Sequence, residues 1–353
     1  MITVLRLAIL SVLFTASVGA ETLPQPAAPA ATDAKSTDST PAETQPAGPK
    51  PAEIKPAQTE PKTAKPAAPA KPVALTFPTG AGSFHILVAQ GKKTLDVFTY
   101  QPEGADATTP IVMVMTEGDR NAANARNEWI TMANQYHLRV VVPKFSEQDF
   151  PGAAGYNLGN LVDPKTHRKL PASQWTFTVV DSLFSQMQKQ GVISQSQFYL
   201  FGNSAGCQVV HRMLTLLPQP EVKAAVCAAP TWWTLPDTDQ RWPYGLRESP
   251  ISVNQQQLAS YFAKPMLIAV GSEDDNPETH PQRLSKQVMA QGSNRLDRAE
   301  SYFTTSQQRA EQNNTPFNWH FVDLPDTGHS SSKMSVFAAG QFAWFEEHGQ
   351  FHL

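Results

Sequence analysis

At 353 residues the chain can hold one or two domains, and a formal charge of −3 with no basic block in its tryptophan-bearing part offers nucleic acid or anionic lipid no electrostatic footprint. Its composition is uneven: residues 21–72 hold twelve of the thirty prolines among Ala, Thr, Lys and Glu, with almost nothing large and apolar. Such a stretch cannot bury enough surface to offset its ordering entropy, so residues 21–75 read as a disordered spacer.

Ahead of the spacer, MITVLRLAILSVLFTASVGA sets Arg6 before an apolar run and ends on Val18, Gly19 and Ala20. That is the layout of a secretory signal peptide over residues 1–20, cleaved after Ala20. The alternative is a retained membrane anchor, although the run from Leu7 is shorter than the ~18 apolar residues of a spanning helix. The expectation is therefore export, to the periplasm or the medium. The scattered lysines of the spacer are a weak candidate contact with the cell envelope. Residues 76–353 carry all seven tryptophans and are ample for one core.

Within this part SFHILVAQ and TLDVFTYQ flank Gly91-Lys92-Lys93, which predicts an antiparallel hairpin. PIVMVMT is a short, continuously apolar run, as expected of a strand buried on both faces. Ala122 to Tyr136 has helical spacing, with Trp129, Met132 and Ala133 on one side, and LRVVVPKF follows as a second buried strand. A connection holding GYNLGN leads to a helix from Trp175 to Gln190. Next come QFYLFG, a helix from Ala205, then KAAVCAAP, PMLIAVG and NWHFVDLP, with a last helix over Met334 to Glu347. Buried strands separated by helices predict an α/β fold with a mostly parallel sheet, helices on both faces and the hairpin at one edge.

The stretch FYLFGNSAGCQVV contains GNSAG, a match to G-x-S-x-G. Alone the pattern is weak. Here a strand enters it and an amphipathic helix leaves it, which is the setting of a nucleophile elbow with Ser204 at its tip. A serine hydroxyl needs a base, and the base needs an orienting acid. PMLIAVG runs into Glu273-Asp274-Asp275, and NWHFVDLP into Asp326-Thr327-Gly328-His329, giving the order Ser, acid, His beyond the carboxyl ends of successive strands. Asp274 is the preferred acid, with Asp275 and Glu273 left open as neighbours. His211, two turns beyond Ser204, is expected to point away and pack. An oxyanion also needs donors, expected from the Ala205 N–H and from the loop at Thr116-Glu117-Gly118. Glu117 is awkward there unless its carboxylate turns aside. Cys207 and Cys227 either form a disulfide, which export permits, or pack as free thiols.

With these residues in place the chain resembles the α/β-hydrolase superfamily over residues 82–345. More narrowly it resembles exported bacterial esterase-like hydrolases grouped with poly(3-hydroxybutyrate) depolymerases and feruloyl esterases. The resemblance is carried by RNAANARNEWITMANQY, GYNLGN, SQWTFTVVD, GNSAG, WWTLPDTDQRWPYGL, AQGSNRLDRAESYF and PFNWHFVDLPDTGHSSSKM. It implies Ser204 as nucleophile, Asp274 as acid, His329 as base, and Ala205 and Gly118 as oxyanion donors; separately, no cofactor is expected. One departure stands out: relatives commonly have His-Gly where this chain has Thr116-Glu117.

The connection TWWTLPDTDQRWPYGL follows the strand after that of Ser204, so Trp232, Trp233, Trp242 and Tyr244 are candidate walls of a substrate cleft. Tyr156, Asn157 and Asn160 are further candidate polar contacts. The leading expectation is a serine carboxylesterase acting on a polyester, an aryl ester or an acetylated envelope sugar. The rival is a tethered, non-catalytic binding module of the same fold, for which Glu117 is the main argument.

Overall fold

The protein is described by a computed structural model covering residues 75–89, 93–276 and 283–353. The expected signal peptide, nearly all of the spacer and the tip of the hairpin lie outside the described residues.

The described chain builds a sheet of eight strands: β1 (Gly80–Val88), β2 (Lys93–Gln101), β3 (Ile111–Met115), β4 (Arg139–Lys144), β5 (Phe198–Asn203), β6 (Val222–Ala228), β7 (Met266–Gly271) and β8 (Trp319–Leu324). Their spatial order is β1-β2-β4-β3-β5-β6-β7-β8. β1 pairs antiparallel with β2, and β2 antiparallel with β4; every other pairing is parallel. This is the expected mostly parallel sheet with a hairpin at one edge.

The strand sequences state how each is covered. β3 is buried at every position because helices close both faces of the sheet. Its side chains alternate between two cores: Ile111, Met113 and Met115 on one face, Val112 and Val114 on the other. In β1, at the edge, Phe84, Ile86 and Val88 are buried while His85 and Leu87 face out.

Nine α-helices surround the sheet: α1 (Ala122–Glu128), α2 (Ile130–Tyr136), α3 (Gly152–Gly155), α4 (Thr176–Lys189), α5 (Ala205–Leu216), α6 (Gln255–Ala263), α7 (Lys286–Met289), α8 (Arg295–Gln312) and α9 (Ser331–His348), counted among the described residues. The single helix expected over Ala122–Tyr136 is two helices, separated at Trp129. That indole is completely buried, 5.2 Å from the Phe201 ring and 6.4 Å from the Phe342 ring by centroids. Packing of this one large side chain outweighs the continuity of the helical pattern. Among the described residues no helix is long and apolar enough to cross a membrane.

Candidate active site

Ser204 follows β5 directly and is the N-cap residue of α5, with φ 52° and ψ −116°. A left-handed φ is costly for a side-chain-bearing residue and is held only when its surroundings over-determine it. Here they do. A Cβ on Gly202 would come within 2.3 Å of the Gly206 backbone, and one on Gly206 within 2.2 Å of the Met115 carbonyl oxygen. The turn therefore closes only because both positions lack side chains, and the glycines of GNSAG serve close approach. The Ser204 N–H donates to the Ala228 carbonyl at 2.9 Å, tying the turn to β6.

Cys207, on the first turn of α5, and Cys227, near the end of β6, form a disulfide. Gly202 and Cys227 are register partners, so the bond fastens the helix behind Ser204 to the neighbouring strand.

Geometry singles out Asp274 from the neighbouring carboxylates. Asp274 is fully buried, whereas Glu273 and Asp275 are exposed. The Asp274 Oδ2 lies 2.7 Å from the His329 Nδ1, and its Oδ1 accepts from the Arg295 Nη1 at 2.9 Å. The two loops that supply the pair are laced together. Glu273 N–H donates to the Thr327 carbonyl at 2.9 Å, and Gly271 passes so close to that carbonyl that a Cβ would lie 2.0 Å from it. Arg295, itself buried, was not among the residues picked out from the sequence. It opens α8, whose N-cap Asn294 accepts from the Asp297 N–H, and that Asn-x-x-Asp spacing is the signal that marks the helix start.

Ala205 opens α5, so its N–H belongs to the first turn, where no intrahelical acceptor exists. Gly118 is exposed and lines the same cleft as Ser204 and Ala205. The loop carrying it is pinned from below. The buried Tyr156 hydroxyl donates to the Thr116 carbonyl at 2.7 Å, and the Arg120 guanidinium reaches the carbonyls of Phe145, Phe150 and Gly152. Burial raises the Tyr156 phenol well above its ordinary value, so it stays a donor. Glu117 does not line this cleft. Its carboxylate accepts from the Asn203 side-chain amide and lines a separate small cavity with Glu128, Asn124 and Ser335. The backbone at Gly118 is what the loop presents beside Ser204.

The aromatic residues expected as cleft walls from the β6 connection are buried or half-buried. None of Trp232, Trp233, Trp242 and Tyr244 lines the cleft. Trp233 is fully buried and stacked on Tyr302 at 4.1 Å, with its backbone N–H and carbonyl both bonded to Gln291. Trp232 is packed under the Arg212 guanidinium and against Tyr244, at 4.2 and 4.8 Å. Trp242 and Tyr244 are half-buried, the former packed against the core and the latter reaching Ser285. The connection needs these rings to cover the face of α5, a demand that the sequence shows only as an aromatic cluster. The cleft is polar instead: Tyr156, Asn157, Gln208 and Thr231 line it, while Asn160 is buried and holds the Gln174 carbonyl. A larger groove at the amino ends of β5 and β6, between Pro218 and Lys264, holds none of these residues and lies at the edge that open α/β sheets do not use for ligands.

The sheet order, the strained Ser204 turn and the Asp274–His329 pair define an α/β-hydrolase, and the chain belongs to that family. It is similar to poly(aspartic acid) hydrolase-1 from Sphingomonas sp. KT-1 at 32% identity and a TM-score of 0.70, covering 75% of this chain and 99% of that one. It is also similar to a poly(3-hydroxybutyrate) depolymerase from Bordetella parapertussis at 30% identity and a TM-score of 0.70, covering 78% of this chain and 92% of that one. No protein-family model matches the chain, and no curated protein does. Hydrolysis is the chemistry that this membership supports.

Proposed function

We propose that the protein is an exported serine hydrolase that cleaves carboxylic esters through an acyl-enzyme on Ser204. The observation that carries this is the Ser204 turn, strained at φ 52°, on the same sheet edge as a buried carboxylate 2.7 Å from the His329 ring. The reaction runs in two halves. His329 takes the hydroxyl proton as the Ser204 Oγ attacks the ester carbonyl, and the N–H groups of Ala205 and Gly118 receive the developing oxyanion. The imidazolium returns its proton to the departing alcohol. A water, deprotonated by His329, then attacks the acyl-enzyme, and the imidazolium returns the proton to the departing Ser204 Oγ as the acid is released. Asp274 holds the ring tautomer with Nδ1 protonated and stabilises the imidazolium. Export is supported by the signal-like segment at residues 1–20 and by the disulfide, which an oxidising compartment maintains. The family relatives are named for polymers, which favours a polymeric substrate.

The test is turnover of p-nitrophenyl acetate and butyrate by the mature protein beside Ser204→Ala, with a fluorophosphonate probe as a second readout. Turnover should fall by about 10⁴-fold or more in the variant, and the probe should label only the parent. A folded parent that neither labels nor turns over these esters would favour the binding-module reading.

A further inference from the structure

Gln208 stands one helical turn after Ser204 on α5, is 3% exposed, and lines the cleft with Ser204 and Ala205. Residues four apart on a helix are neighbours on one face, so its side chain belongs beside the nucleophile. Its amide is held in one orientation. The Oε1 accepts from the Arg212 Nη1 at 3.0 Å and from the Asn157 Nδ2 at 3.0 Å. A guanidinium only donates, so the oxygen must face Arg212 and the Nε2 must face the other way. Among the described residues that Nε2 has no hydrogen-bond partner, and it is not among the sealed, unsatisfied buried atoms.

Arg212 behind it is an unusual support. It is fully buried, and no carboxylate pairs with it among the described residues. Its other contacts are the Thr234 hydroxyl, the carbonyls of Asn157 and Gln208, and the face of Trp232. Burial pulls the guanidinium down to about 9, so it keeps its charge at neutral pH. A buried cation without a counter-ion polarises the amide it bonds, which strengthens the N–H donors at the amide's far end. It also makes the potential in the adjoining cleft more positive, which favours a negatively charged or oxygen-rich group there.

We infer that Gln208 is a specificity-determining residue, offering the N–H donors of its side-chain amide to an oxygen acceptor on the substrate's acyl part, a few atoms from the scissile carbonyl. The substrate class is then an ester whose acyl group bears a second carbonyl or a carboxylate, rather than a plain alkanoyl ester. Arg212 and Asn157 act through Gln208 as positioning residues. The inference rests on the serine-hydrolase reading of the cleft but is tested separately from it.

The experiment compares diethyl succinate, monoethyl succinate and ethyl butyrate, followed by pH-stat, for the parent, Gln208→Glu and Gln208→Leu. Gln208→Glu keeps an oxygen toward Arg212 and Asn157 and removes the donors while adding a charge that Arg212 can pair, so it guards against a folding defect in Gln208→Leu. The expected result is a fall of about tenfold in the kcat/KM ratio of diethyl succinate over ethyl butyrate in both variants, the size of one lost hydrogen bond. In the parent, preference for monoethyl succinate over diethyl succinate assigns the acceptor to a carboxylate, and the reverse to a neutral carbonyl. A ratio within twofold of the parent's in both variants overturns the inference. Binding of succinate and butyrate by titration calorimetry, which needs no turnover, is the second measurement. Succinate should bind the parent more tightly than butyrate and lose about tenfold in Gln208→Glu, and equal binding of both acids by the parent overturns the inference even if no ester is hydrolysed.

Discussion

At the scale of single residues, the arrangement around Asp274 decides more than its identity does. A carboxylate taken fully out of water is costly unless it is paired, and here both oxygens are engaged, one by Arg295 and one by His329. Arg295 stands to the acid as the acid stands to the imidazole: it fixes the carboxylate plane that in turn fixes the ring. Arg295→Met should therefore leave an under-compensated buried charge and lower stability by about 3–5 kcal/mol, read from the urea midpoint. Arg295→Lys keeps the charge without the planar fork and should recover part of that loss. If Arg295→Met left the midpoint unchanged, the pair would be a surface-like contact in effect, despite its burial. Glu117 makes the opposite point. The side chain expected to oppose an oxyanion is bonded instead to the Asn203 amide and does not line the cleft with Ser204.

Helix α5 carries much of the candidate site at the next scale. Its first residue presents a free N–H, its first turn carries the disulfide, Gln208 faces the cleft, and His211 faces inward. His211 is fully buried. Its Nδ1–H donates to the Cys207 carbonyl at 2.8 Å, and its Nε2 accepts from the Thr234 N–H at 3.1 Å. Both nitrogens are spoken for, which rules out metal ligation by the neutral ring as bonded, although two sulfurs lie nearby. Burial, reinforced by the Arg212 charge, pushes His211 well below its ordinary value. The sign follows from linkage. Below about pH 6.5 the unfolded chain takes up a proton that the folded chain refuses, so this group removes stability as pH falls. The slope is at most about 1.4 kcal/mol per pH unit. Chemical denaturation between pH 7.5 and 5 should show a shallower acid slope in His211→Gln than in the parent. Equal slopes would mean that the ring is protonated in the fold or that the unfolded chain also shields it.

For the molecule as a whole, the site is an assembly of loops at one edge of a sheet whose strands are far apart in sequence. Ser204 follows β5, Asp274 follows β7 and His329 follows β8, and the parallel order β5-β6-β7-β8 brings their carboxyl ends to one side. The Cys207–Cys227 bond closes a separation of 20 residues in the middle of this edge. In the chain-entropy account a loop of that length is worth about 3 kcal/mol through the unfolded state. The double variant Cys207→Ala with Cys227→Ala should lose about that much in denaturant titration. Loss of activity well below its unfolding midpoint would show in addition that the bond holds the Ser204 turn in place.

Much of this was already decided by the sequence. Strand and helix periods and the apolar runs of β3, β5 and β7 fix a parallel sheet, because continuously apolar strands need cover on both faces. The glycines around Ser204 fix a tight turn, because only the absence of a Cβ lets β5 and α5 approach so closely. Order along the chain also put one serine, a run of carboxylates and one histidine at the same edge. What only the tertiary structure decided is every question of direction. Asp274 rather than Asp275 faces inward, since adjacent loop residues point opposite ways and nothing local selects one. The break at Trp129, the role of Arg295, the aside-turned Glu117 and the disulfide all depend on partners distant in sequence. So does the fate of the aromatic cluster. The residues Trp232 and Trp233 carry the same composition whether they line a cleft or fill a core, and packing against Arg212 and Tyr302 settles it in favour of the core. Periodicity reports which side of an element is apolar, while the identity of what meets that side is written only in three dimensions.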